Sequence, residues 1–129
     1  MAEAMARKYG SDVLIPSSAG TSAATQTHPT TRAVLREKNI DLGDHIPQRF
    51  SAVKPQYYDL IVNMSGRALQ GTGDTLVETW DVADPMGQDE DFFRSTRDQI
   101  EMLVMRLILR IRTGKFDPPI DSKAASPQQ

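Results

Sequence analysis

The sequence predicts an α/β fold, a three-layer domain with a small, mainly parallel sheet flanked by helices. Three observations point to it. Tyr58 to Met64 holds a continuous apolar run of the kind buried on both faces in a parallel sheet. A long amphipathic helix is predicted from Asp89 to about Thr113. Along the chain, strand-type and helical patterns alternate, which argues for an α/β layer fold with ligand sites beyond the carboxyl ends of the strands. The candidate site loops are then Ser17 to Thr21, Ser65 to Thr72 and Ala83 to Gly87.

The elements follow in chain order. Ala2 to Tyr9 are good helix formers, with Gly10 expected as the C-cap, and no residue before Ala2 supplies a first turn. Val13-Leu14-Ile15 reads as a short strand closed by Pro16, leading into the small-residue turn Ser17 to Thr21. His28-Pro29 marks the entry to a short helix from Thr30 to Lys38, because proline is pre-organised for the first helical turn. Ile40 to Phe50 is expected to be irregular, with Pro47 preventing a long helix. After the central strand, Ser65 to Leu69 resembles a strand-to-helix turn, and Gly71 to Asp74 a loop before a further extended stretch, Leu76 to Val82.

The long helix opens with acids, closes with arginines and stops at Gly114. Ile100, Leu103, Val104, Leu107, Ile108 and Ile111 make the stripe that should face the sheet. Met102, Met105 and Leu109 lie on roughly the opposite side, which implies a second contact.

A length of 129 residues suits one domain, expected at 1–114, and the Pro, Ser, Ala and Gln content of 115–129 is that of a loose tail. With 39% hydrophobic and 25% charged residues the chain has the composition of a globular protein. A net charge of −2 gives no electrostatic case for nucleic-acid or membrane-surface partners, and no apolar run reaches the roughly 20 residues of a membrane span. A cytoplasmic location is the expectation. The chain contains no cysteine, so it has no disulfide framework and no thiol nucleophile. His28 and His45 lack a metal-like spacing, Gly66, Gly71 and Gly73 do not form a nucleotide-binding pattern, and Arg106, Arg110 and Arg112 read as solvated, dipole-matching residues. No cofactor or metal is expected.

Met1-Ala2-Glu3-Ala4, Ser18-Ala19-Gly20-Thr21, His28-Pro29, Ile40-Asp41-Leu42, Asp59 to Met64, Trp80 and Asp84-Pro85 occur in an order and spacing that resembles the low-molecular-weight protein tyrosine phosphatases and thioredoxin-linked arsenate reductases. The resemblance runs from Met1 to about Gly114 and implies a parallel sheet of order 2-1-3-4. It also implies a first strand and a Cys-x5-Arg loop ahead of the residues matching Met1 to Ala4, and this sequence contains neither. That loop would supply the attacking thiolate and the phosphate cradle. The expectation is therefore a chain inactive as written, either part of a longer reading frame or a non-catalytic binding module. Restored, the loop would act on a phosphotyrosine protein or a small phosphoester.

By the same resemblance Asp84 is the general acid and then the general base of the phosphatase branch. The positions matching the relay cysteines of the reductase branch are Ser65 and Thr72, and a hydroxyl cannot form a disulfide. This favours the phosphatase branch. Met86 and Gly87 stand where family phosphatases usually carry aromatic residues framing the tyrosine ring. Loss of an inner strand would leave unpaired sheet edges, from which a homodimer or higher assembly is expected.

Overall fold

A computed structural model describes residues 1–20, 28–43 and 47–114. Helix α1 (Ala2–Gly10) carries Glu3 in its first turn and Arg7 and Lys8 in its last, matching the helix dipole, and buries Met5 completely. It ends without a left-handed cap. The C-cap, Ser11, stays right-handed at φ −61° and ψ −15°, and the N–H groups of Val13 and Leu14 both donate to the Gly10 carbonyl at 3.0 Å.

The structure departs from two sequence expectations. Gly10 is the last residue of the helix, and what requires it is packing: a Cβ there would stand 2.8 Å from both Cδ1 and Cγ1 of Ile108. Val13 to Ile15 is not a strand. The turn off α1 carries Val13 and Leu14 against the core and leaves Ile15 93% exposed, and a strand needs a ladder partner, which this segment does not have among the described residues.

Helix α2 (Pro29–Arg36) starts as the sequence suggested. His28 is its N-cap, with Nδ1 accepting the Thr30 N–H at 3.1 Å, and Pro29 opens the first turn. The imidazole also stacks on Phe93, centroids 5.3 Å apart. Val34 and Leu35 are fully buried. Two short 3₁₀ turns, Phe50–Ala52 and Pro55–Tyr57, precede the sheet. His45, Thr21 and the tail from 115 lie outside the described residues.

Strands β1 (Leu60–Asn63) and β2 (Leu76–Thr79) pair in parallel, in the register Leu60 to Leu76 through Asn63 to Thr79. Pairing ends there, short of Val82, and Trp80 N–H donates to the Asn63 carbonyl at 2.9 Å. Leu60, Val62, Met64 and Trp80 turn one sheet face into the core. Among the described residues nothing pairs with the second edge of β1.

Helix α3 (Glu90–Arg112) is capped by Asp89, which accepts the Phe92 N–H at 2.9 Å, and it closes with Gly114 N–H on the Ile111 carbonyl at 3.1 Å. Phe93, Ile100, Val104, Leu107 and Ile108 are its buried stripe, and both α1 and α2 pack against it. Met102, Met105 and Leu109 stay on the outside, 46%, 39% and 61% exposed. This is an α/β fold in which α3 is the common neighbour of the other helices.

Polar groups fix how α3 sits. Glu37 at the end of α2 accepts from Arg94 (Nε 3.0 Å, Nη2 2.9 Å) and from Arg97 (Nη1 2.6 Å). Arg97 is 7% exposed and also donates to the Val34 carbonyl at 2.9 Å, so its charge is buried with partners. Toward the other end, Arg110 clasps Glu78 of β2 with two bonds of 3.0 Å, while Trp80 Nε1 donates to the same carboxylate at 2.7 Å. Burial pushes the Glu78 carboxyl up, but the hydrogen bonds from Arg110 and Trp80 outweigh it and hold the group below its ordinary value.

The hydrogen bonds from Arg94, then those from Arg97, lower the Glu37 carboxyl from 4.5 to about 2. A folded-state value below the unfolded one contributes stability that is fully present above 4.5 and is lost as pH falls through about 2. Thermal melts through this range should show a modest acid limb in the native chain, discounted by solvent screening at this exposed carboxylate, and a shallower one in Glu37→Gln; identical limbs would remove Glu37 from the account. Gly10→Ala should lower stability by roughly 1–3 kcal/mol despite alanine's better helix propensity, because the methyl overpacks against Ile108. Ile108→Val in the same background should recover part of the loss in a urea titration.

Candidate active site

Parallel pairing sends β1 and β2 in one direction, so the loops after Asn63 and after Thr79 leave the sheet at the same end. These are the loops of Ser65 and Asp84. The first is organised by Asn63, the polar residue closing the apolar strand and 2% exposed. Its Oδ1 accepts from the Ser65 N–H at 3.0 Å and the Ser65 hydroxyl at 2.7 Å, and its Nδ2 donates to the Arg67 carbonyl at 2.6 Å. Ser65 Oγ in turn accepts the Arg67 N–H at 3.2 Å. Gly66, at φ 79°, makes the tight return in a backbone region that disfavours a side chain. The expected strand-to-helix turn is thus a self-contained loop with no helix after it, because its hydrogen bonds close back on Asn63.

The second loop holds Asp84, which is exposed. One carboxylate oxygen accepts the Met86 N–H at 3.0 Å, the turn closes with Gln88 N–H on the Pro85 carbonyl at 2.9 Å, and Gly87 takes φ 81°. The carboxylate is oriented by its own loop and faces solvent. Met86, also exposed, stands beside it.

Thr72 is not brought to Ser65. It lies on the return toward the start of β2, where its carbonyl accepts the Thr75 N–H at 3.2 Å and Thr75 Oγ1 donates to the Pro55 carbonyl at 2.7 Å. No hydrogen bond joins Ser65 and Thr72 among the described residues.

The third loop is tied to α1. Ser18 donates its hydroxyl to Glu3, which also accepts from Arg7 at 2.6 Å. Gln48 Nε2 donates to the Ser18 carbonyl at 2.9 Å and the Ser17 hydroxyl at 3.2 Å, and a parallel bridge joins Gly20 to Arg49. Beside Ser18 a cavity of about 330 Å³ opens between α1 and the 39–42 segment, with Glu3, Arg7, Lys8 and Asp41 on its wall. Its charges are mixed, and none of the residues of the other two loops lines it. Among the described residues no cluster of His, Asp and Glu is arranged to hold a metal ion.

Glu3 and Asn63 were the functional-loop residues that sequence reasoning passed over. The signal for Asn63 was present, as an amide at the end of an otherwise apolar strand. Glu3 gave only an i,i+4 pairing with Arg7, whose use for a distant loop depends on the turn after α1.

Residues 1–115 match the family described as low molecular weight phosphotyrosine protein phosphatase. The chain belongs to that family. Among curated relatives it is 27% identical over 115 residues to a glutaredoxin arsenate reductase of Synechocystis sp., covering 86% of this chain and 87% of that protein. It is 30% identical over 89 residues to a putative arsenate reductase of Halobacterium salinarum, covering 68% of this chain and 63% of that one. Solved structures of similar shape include an arsenate reductase in the phosphate binding state, with a TM-score of 0.77 and 26% identity over 85% of this chain and 86% of that chain. Another is an arsenate reductase in the reduced state, with a TM-score of 0.75 and 26% identity over the same shares. No helix among the described residues of this family member is long and apolar enough to cross a membrane.

The Asn63 amide satisfies the loop after β1 from a site almost closed to water. Asn63→Ala should therefore cost on the order of 1–3 kcal/mol, leaving the Ser65 and Arg67 backbone groups without their partner. Denaturant titration would show the loss, and a change below ~0.5 kcal/mol would mean that water replaces the amide.

Proposed function

We propose that this chain is a member of the phosphatase and arsenate reductase family built for a small phosphate-like oxyanion, and that its 129 residues perform no thiolate chemistry by themselves. The observation that carries the second half is the absence of cysteine within a chain matched to the family over residues 1–115. Both branches need a sulfur nucleophile, and neither a serine nor a threonine hydroxyl in this setting replaces a thiolate.

The relatives and structures that carry the name arsenate reductase, one of them in a phosphate binding state, support the oxyanion reading. So does the Asp84 loop, where Met86 and Gly87 offer no aromatic wall for a tyrosine ring. The disulfide relay of a reductase has no support in these residues. Ser65 is a hydroxyl bonded to Asn63 and Arg67, and Thr72 lies in the turn that leads into β2. Asp84 is the general acid by resemblance. In that role its exposed carboxyl, which accepts the Met86 N–H, would protonate a leaving oxygen when a thiolate attacks and then activate water against the covalent intermediate.

A second reading is a non-catalytic binding module of the same fold, which the exposed outer face of α3 favours. The test is turnover by the full chain. Hydrolysis of p-nitrophenyl phosphate and glutathione-supported arsenate reduction should both stay at the level of an Asp84→Ala control. Turnover of either substrate that falls a hundredfold or more in Asp84→Ala would overturn the inactive reading and assign Asp84 its catalytic role.

A further inference from the structure

We propose that the outer face of α3 is a self-complementary interface, through which two copies of this chain pack antiparallel about a twofold axis near Met102. The face is ordered along the helix. Asp91 and Asp98 occupy its amino-terminal part, Met102 and Met105 its middle, and Arg106 and Leu109 its carboxyl-terminal part. At 100° per residue these positions lie on one side, opposite the buried stripe of Phe93, Ile100, Val104 and Leu107.

Charge complementarity names the occupant. Asp98 and Arg106 lie four residues on either side of Met102, each about 6 Å along the helix from it. A twofold axis at Met102 therefore sets Asp98 of each copy against Arg106 of the other, as an isologous contact requires. Both groups are accessible on this face. Arg106 is exposed and makes no ion pair among the described residues, and Asp98 is 56% exposed, meeting Arg97 and Lys38 through Oδ1 alone. A parallel pairing would oppose acid to acid and base to base, whereas the antiparallel one also opposes the helix dipoles favourably. The two methionines are flexible enough to fill a joint surface made of identical side chains. Three apolar side chains place this contact at the weak end of interface sizes, so it should dissociate reversibly on dilution.

The test is sedimentation equilibrium of the full chain over a range of concentrations, with far-UV circular dichroism to confirm folding. The expected result is a reversible monomer–dimer equilibrium weakened at least tenfold by Met102→Glu and by Arg106→Glu. Association should return when Asp98→Lys and Arg106→Glu are combined, because the pair is then reversed in both copies. Should either variant fold poorly, a short bismaleimide applied to Met102→Cys, in a chain with no other thiol, should join two copies, while Tyr57→Cys should stay uncrosslinked. A monomer at every concentration would overturn the proposal. So would a dimer indifferent to Met102→Glu, which would point to the open edge of β1, or a charge reversal that restores nothing.

Discussion

The structure depends on the burial of one side of α3. Phe93, Ile100, Val104, Leu107 and Ile108 form the stripe on which α1 and α2 close and against which Trp80 and one face of the sheet are set. At roughly 1.5–3 kcal/mol for each large side chain taken from water, this stripe exceeds any other local contribution. Its tightest point is the approach of Gly10 to Ile108, where even a methyl group has no room. That approach sets the angle at which α1 leaves and hence where the 13–20 segment can go.

Charged groups decide orientation more than stability. Arg94 and Arg97 hold Glu37 at one part of α3, Arg110 holds Glu78 at another, and Arg112 meets Asp12 beyond α1. Exposed pairs of this kind contribute little each. The Arg97 contact differs, because its guanidinium is buried and an uncompensated charge there would be costly. The result is a helix that cannot rotate about its axis without breaking a pair at either end, which is why its outer methionines and Arg106 keep a fixed outward face.

The site follows from the short parallel sheet. Two strands of four residues are enough to send the Ser65 and Asp84 loops out at one end, and each loop then completes its own hydrogen bonds, Ser65 through Asn63 and Asp84 through Met86. Such loops hold their shape through hydrogen bonds within themselves. They present a carboxylate and hydroxyl-bearing turns, which suit proton transfer and orientation. Nucleophilic attack on phosphorus or arsenic by sulfur lies outside what these side chains can do.

What was legible in the sequence was what local chemistry controls. The α/β class, the run through Leu60 to Val62, the span and caps of the long helix, and the His28-Pro29 entry all follow from periodicity, proline geometry and capping, which neighbours in the chain determine. Val13 to Ile15 departs from the expected strand because an apolar segment with β-branched residues at both ends has the same local preference whether it joins a ladder or covers a helix, and only the presence of a partner strand separates the two. The role of Gly10 is hidden for a similar reason, since the demand on it comes from Ile108, far along the chain. Of the site, the residue types and the order of the loops were legible in the sequence. Tertiary structure alone decided that Ser65 and Asp84 share an end of the sheet, that Thr72 does not, and that Glu3 is spent on Ser18, because those outcomes rest on parallel pairing and long-range hydrogen bonds that no local pattern encodes.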